Sequence, residues 1–272
     1  MIFFVISGFC IHYSYHSGRP LAVGRFYMAR AIRIVLPMLI AMMLSYLMTG
    51  GLHWLNFVLW SLYCEIIYYA IYPPLFLMFK KTGVVKPLVI SYCCAFGLAA
   101  FPDQHNGYFW SYGLWGTALL GLPPWILGCT LAESMGRRRL NEGPFSEVIL
   151  LYLRLTILII GILTLLLEVA TPLKFKYSFL ICSPLIYAWL YAELSSTRNS
   201  PMLEKLKGFG RASYSLYLVH IFSIPLIMVL AGGANQVQQW ELRMAAVVVL
   251  ATLFFVVVER PAHRLAKRVG AP

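Results

Sequence analysis

Residues His53–Phe79 form an apolar run that holds one acid, Glu65, and no lysine or arginine. As a helix rising about 1.5 Å per residue, the run reaches about 40 Å, longer than the ~30 Å hydrocarbon core of a bilayer. Within lipid a backbone must satisfy its own hydrogen bonds, so only helices and closed barrels span it. Barrel strands alternate polar and apolar residues. This run does not alternate, and neither do the other apolar runs of the chain. The whole chain is 60% hydrophobic and 12% charged, against about 25% charged for a soluble domain. The fold class is therefore all-α, a polytopic helical membrane bundle.

Nine apolar runs follow one another: Met1 to about Tyr15, Ile32–Met48, His53–Phe79, Pro87–Phe101, Gly113–Ala132, Val148–Leu167, Tyr177–Leu194, Ser213–Ala231 and Leu242–Val258. Pro123-Pro124 is expected to break or kink the fifth, and Thr49-Gly-Gly to make a tight turn into the third. The first run reaches only about 22 Å as a helix and is read as an incomplete span. No secretory signal with a cleavage site, soluble domain, long linker or internal repeat is visible. The chain reads as one integral-membrane domain over residues 1–272.

Lysine and arginine gather in alternate connections: Arg19–Arg33, Lys80–Lys86, Arg137–Arg139, Arg198–Arg211 and Arg260–Arg268. The other connections are almost free of them, Lys174 and Lys176 being the exception. Positive charge marks the cytoplasmic side, so the first run travels inward, the loop Pro102–Tyr112 faces out, and the C-terminal tail is cytoplasmic. The net charge of +12 is then a topology signal with some contact to anionic lipid. A nucleic-acid partner is not expected. The six cysteines lie in apolar runs without metal-ligand spacing. They read as small core residues, with no disulfide framework and no metal site expected.

On a helix Ser61, Glu65, Tyr68, Tyr69 and Tyr72 share one face. An acid at mid-bilayer costs about 2.5–3.5 kcal/mol by insertion scales, so Glu65 needs a partner or a wet cavity. A hydrogen bond between helices and a functional site both answer that need. His220 lies about 13 Å along its helix from the cytoplasmic face, again near mid-depth, with Ser213 and Tyr217 on the same face. It is either a helix–helix hydrogen bond or half of an acid–base pair with Glu65. Arg30 and Arg33 share a face at the cytoplasmic mouth of the second helix. They are either ordinary anchors or a clamp for a phosphate-bearing ligand. Ser7-Gly8 offers close helix packing or a hydroxyl facing a cavity. Glu259 ends the last helix, where an acid opposes the helix dipole, and is expected to pair with an arginine.

Six elements, in order, resemble the membrane-bound acyltransferase family 3. They are FFVISGF (Phe3–Phe9), FYMARAIRIVLP (Phe26–Pro37), the Trp60–Pro73 block WSLYCEIIYYAIYP, LPPWILG (Leu122–Gly128), SYSLYLVH (Ser213–His220) and Glu259-Arg260-Pro261. Ala29 stands where many relatives have a second arginine, Pro37 comes one place late, and Tyr68 takes the usual Phe position. The resemblance implies transfer of an acyl group, commonly acetyl, from a cytoplasmic donor to a hydroxyl of a carbohydrate or glycolipid. It implies acyl-CoA as donor substrate and no bound cofactor, in the bacterial inner membrane. Glu65, His220 and Ser7 are then the expected catalytic residues, lining one aqueous cavity, and Arg30 and Arg33 the donor-binding ones. Trp60, Ser61, Tyr69, Ser213, Tyr217 and Glu259 are supporting. The family's first helix, with a basic residue and a histidine, precedes the matching region. About ten spans are therefore expected in a full-length relative, and sequence upstream of Met1 is expected to supply the missing helix and half-span. A transporter or flippase of a polar lipid or sugar, and an inactive fragment of the enzyme, are the competing readings.

Overall fold

The computed structural model describes residues 1–16, 20–101, 112–137, 145–170, 175–196, 210, 212–231, 233 and 235–270. Among these, 93% are helical and none is in a strand. Arg19, Arg138, Arg139, Lys174, Arg198, Arg211 and the loop 102–111 fall outside the described residues.

Among the described residues nine helices succeed one another: α1 (Ile2–His16), α2 (Val23–Thr49), α3 (His53–Thr82), α4 (Val85–Ala100), α5 (Gly113–Arg137), α6 (Glu147–Ala170), α7 (Phe175–Ser195), α8 and α9 (Gln236–Gly270). The eighth, α8, joins Ser213–Val219 to Ser223–Ala231 through a 3₁₀ turn at His220–Phe222. Seven are long and apolar enough to cross a membrane, while α1 and α4 are shorter apolar helices. The chain is an integral membrane protein built of helices.

Local signals explain two boundaries clearly. Gly50 ends α2 in the left-handed conformation at φ 68°, its N–H bonded to the Tyr46 carbonyl. Asn235 starts α9 with a capping box, its side chain accepting from the Gln238 N–H at 2.9 Å. The expected break at Pro123-Pro124 does not occur, and α5 continues through both prolines. Pro73, Pro74 and Pro184 are likewise interior. In lipid, neighbouring helices and local adjustments satisfy the carbonyls that a proline frees. Two helices widen into a π-turn, α2 at Ala31–Val35 and α9 at Phe255–Glu259.

The helices form two compact units. One holds Met1–Leu21 and Tyr63–Arg198, the other Ala22–Leu62 and Asn199–Pro272. In the first unit α5 is the hub, 67% of its apolar window being buried against 6% for α6. It crosses α1 at contact distance, because a Cβ on Gly8 would overlap the Trp125 carbonyl oxygen and one on Gly128 the Val5 carbonyl oxygen. Only glycine permits that approach, the usual way membrane helices gain packing energy where lipid offers no hydrophobic drive. Phe4 meets the position of Gly121, Ser7 meets Trp125 and His12 meets Glu133. The pairing climbs in the same sense on both helices, so α1 and α5 run parallel. Tyr92 to Ser183 at 2.6 Å and Tyr177 to the Ala99 carbonyl at 2.8 Å set α4 antiparallel to α7.

The expectation that all six cysteines are core residues holds for Cys64 and Cys129 alone among the fully buried ones. Cys10, Cys93 and Cys94 lie on outer helix faces, and none of the six is in a disulfide. A thiol is apolar enough to face lipid as readily as a core. Lys176, which broke the charge pattern, is 3% exposed. Its ammonium donates to the Phe101 carbonyl at 3.3 Å and to the Tyr112 hydroxyl, so it joins the ends of α4 and α5 to α7.

Candidate active site

The face of α3 read from the sequence is buried as a stripe. Glu65 is 3% exposed, and Ser61, Tyr68, Tyr69 and Tyr72 are buried with it. In the first unit Ser7 of α1 donates its hydroxyl to Glu65 Oε1 at 2.5 Å. Tyr69, one turn on along α3, donates to the same oxygen. Trp125 of α5 donates its indole N–H to Ser7 Oγ at 3.3 Å. Two hydroxyl donors at about 1.5–3 kcal/mol each offset the about 2.5–3.5 kcal/mol cost of an acid at mid-helix. The same geometry has a chemical capacity. A proton can pass from Ser7 to Glu65 while the Trp125 N–H faces the oxygen that loses it. Gly8 sets this up, because the close crossing it allows brings Ser7 beside Trp125.

Sequence reasoning counted Glu65, Ser7 and Tyr69 among the site residues; it placed Tyr68 on the Glu65 face without giving it a role, and gave Trp125 none. Tyr68 is 1% exposed and donates to the Ala118 carbonyl at 2.7 Å. The signal for Trp125 was its place in LPPWILG between two small residues of the α1-facing stripe, Gly121 and Gly128. A buried cluster further along α1 was also missed. His12 is 1% exposed, with Nδ1 3.2 Å from the Tyr72 hydroxyl and Nε2 3.1 Å from Glu133 Oε1. The rings of Tyr72, Phe76 and Phe79 surround it edge-on. In the sequence His12 stands near the end of the first apolar run. Its spacing of four from Gly8, on the face that meets α5, was the readable signal.

In the second unit the start of α8 ties three helices together. Tyr214 donates to the Ile34 carbonyl in the π-turn of α2 at 2.8 Å. Ser215 gives Glu259, at the end of the π-turn of α9, both its backbone N–H at 2.9 Å and its hydroxyl. Tyr217 bonds Ser61 of α3 at 2.6 Å and the Val58 carbonyl. The expected arginine partner of Glu259 is thus replaced by Ser215. A carboxylate near the amino end of α8 meets N–H groups that have no helical acceptor. Glu259 does not end the last helix as expected, because α9 runs on through Pro261 to Gly270. Arg33 still acts on Glu259 through its charge. Tyr214 and Ser215 were absent from the residues expected to matter, although both stand in SYSLYLVH. Ser213, expected as a supporting residue, bonds the Gly210 carbonyl locally at 2.8 Å.

His220 occupies the 3₁₀ turn of α8, half-buried, its Nδ1 2.8 Å from the Tyr217 carbonyl. That contact leaves Nε2 as the ring nitrogen turned away from its own backbone. Trp60 is half-buried on α3. Arg30 is half-buried over the Phe26 ring at 5.7 Å, and Arg33 is exposed within the π-turn. Ala29 packs against the last turn of α9, 3.2 Å from where a Cβ on Gly270 would lie. Among the described residues, no group of three His, Cys, Asp or Glu has metal-binding geometry.

The family model described as an acyltransferase domain matches residues 1–260. No curated protein and no solved structure matches the chain. That match covers both units, the Ser7–Glu65–Trp125 cluster and the α8 joint to Glu259, and the chain belongs to acyltransferase family 3, whose chemistry is acyl transfer.

Proposed function

We propose that the protein moves an acyl group, acetyl first among candidates, from an acyl-CoA on the cytoplasmic side to a hydroxyl of a carbohydrate or glycolipid. The setting we propose is the bacterial inner membrane, with the C-terminal tail in the cytoplasm. Glu65 acts as general base. The acceptor's O–H proton passes to the Glu65 carboxylate, directly or through Ser7. The alkoxide oxygen bonds the acyl carbon, the carbon–sulfur bond breaks, and the proton ends on the released thiolate. Ser7, Tyr69 and Trp125 hold Glu65 and the oxygen it serves. His220 is the second proton-handling group, and Arg30 and Arg33 bind the donor's phosphates, for which a guanidinium fork is suited.

The observation that carries this reading is the buried Ser7–Glu65 contact of 2.5 Å, with Trp125 directed at the serine oxygen. A positioned acid–base group of this kind typically contributes about 10²–10⁴ in rate. The test uses purified full-length protein in lipid nanodiscs with acetyl-labelled donor and candidate glycans. Label moving onto a glycan hydroxyl supports the enzyme. Reconstituted vesicles that move unmodified glycan without label transfer would establish transport instead.

A further inference from the structure

The last turns of α9 pack on α2 through three small residues four apart. Ala262 and Ala266 are buried, and Gly270 meets Ala29. Larger residues there would hold the two helices apart. The close approach carries His263 to the arginines of α2, and the charges of Arg33, Lys267 and Arg30 all act on its ring. Neither α2 nor the segment Arg260–Gly270 contains an acid, while together they hold seven lysines and arginines. Glu259, the acid that directly precedes this segment in the chain, has its carboxylate engaged by Ser215. Like charges gathered on two packed helices repel one another, and a bound anion removes that repulsion. The helices also depart from regular geometry here, since Arg33 lies in one π-turn and Glu259 closes the other, and such turns are frequent at functional sites.

We propose that Lys267 and His263 complete, with Arg30 and Arg33, a binding site for a ligand bearing several phosphates, which is the acyl-CoA donor. This assignment of Lys267 and His263 goes beyond the arginine pair, and its ligand rests on the acyl-CoA reading above. The chemistry at issue is the phosphate ester, which an anionic lipid headgroup also carries. Three cations beside an imidazole that can hydrogen-bond exceed what one lipid phosphate needs and suit a diphosphate with a further monophosphate. Lys267 is exposed, so its replacement leaves the packing of Ala262 and Ala266 untouched.

The full chain is reconstituted in nanodiscs of phosphatidylcholine alone. Binding of CoA and of inorganic pyrophosphate is measured by calorimetry for wild type, Lys267→Glu, Lys267→Arg and His263→Ala. Lys267→Glu is expected to weaken both ligands tenfold or more, Lys267→Arg to restore them, and His263→Ala to weaken them several-fold. Transfer from acetyl-pantetheine, a thioester without phosphate, should fall far less in Lys267→Glu than transfer from acetyl-CoA. Wild-type affinity for both ligands in Lys267→Glu overturns the site while leaving the acyl-CoA reading intact. Pyrophosphate binding that needs Lys267, without CoA binding by wild type, keeps the phosphate site and overturns the acyl-CoA reading. A Lys267→Glu effect seen only as lost binding of phosphatidylglycerol, in nanodiscs doped with that lipid, overturns the donor assignment in favour of a lipid headgroup.

Discussion

Glutamine in place of Glu65 keeps the shape of the side chain and its capacity to accept from Ser7 and Tyr69, but removes the charge and the basicity. If Glu65 serves only to join α1 and α3, Glu65→Gln is nearly silent in both stability and activity. If it takes a proton, acyl transfer falls about a hundredfold while the protein stays folded in the membrane. Single-turnover label transfer with matched thermal unfolding curves separates the two. Arg30 and Arg33 yield to a different comparison. A cation that binds the donor's phosphates changes the apparent KM for donor and leaves that for acceptor in place. Arg30→Ala and Arg33→Ala are each expected to raise the donor KM about tenfold, since a charge-assisted hydrogen bond is worth about 1.5–3 kcal/mol. Equal effects on donor and acceptor would return both residues to membrane anchoring.

Between elements, the crossing of α1 and α5 is the most sharply defined contact. The atoms that a Cβ on Gly128 would strike are the Val5 carbonyl and the Phe9 N–H, both backbone, so no side-chain rotation relieves the overlap. Gly128→Ala must push the helices apart, at the upper end of the about 1–3 kcal/mol typical of overpacking. It should lower the melting temperature in detergent, and it should also reduce acyl transfer, because Ser7 and Trp125 are set by the same crossing. Gly161→Ala on α6, where nothing lies within 4 Å, is the control and should change neither. How much of this was legible follows from which forces act over short stretches of chain. The nine helices, the buried face of α3 and the Gly50 stop depend on hydropathy, periodicity and backbone conformation, all local. The pairing of His12 with Glu133, of Ser215 with Glu259 and of Lys176 with Phe101 depends on which helices become neighbours. In lipid, apolar faces do not decide that, and close packing of small residues does. Gly8, Gly121 and Gly128 were visible as letters, but their partners were not. The prolines of α5 misled for the same reason, since a soluble helix and a packed membrane helix treat a freed carbonyl differently.

At the scale of the molecule, the distribution of lysine and arginine makes one orientation testable. α1, α3 and α5 run parallel in the first unit, but packing alone is the same for either orientation in the bilayer. Charge breaks that symmetry. Lys80 and Lys81 are exposed at the end of α3, and Lys86 follows at the start of α4. The connection between α4 and α5 carries one acid, Asp103, and no lysine or arginine. Lys176 does not count against the assignment, because it is buried and spent on the Phe101 carbonyl rather than displayed at a surface. Short cytoplasmic loops retain lysine and arginine, so the α3–α4 connection is expected inside and the α4–α5 connection outside. The experiment begins from a variant without its six native cysteines, three of which lie on outer faces. Single cysteines are then placed at Thr82 and at Asn106, and intact cells are treated with a membrane-impermeant thiol reagent. The Asn106 variant should label at once, and the Thr82 variant only after the cells are opened. The reverse pattern would put Arg30, Arg33, His263 and Lys267 on the side of the membrane that acyl-CoA does not reach, and would remove the physical basis for a phosphate-bearing donor there.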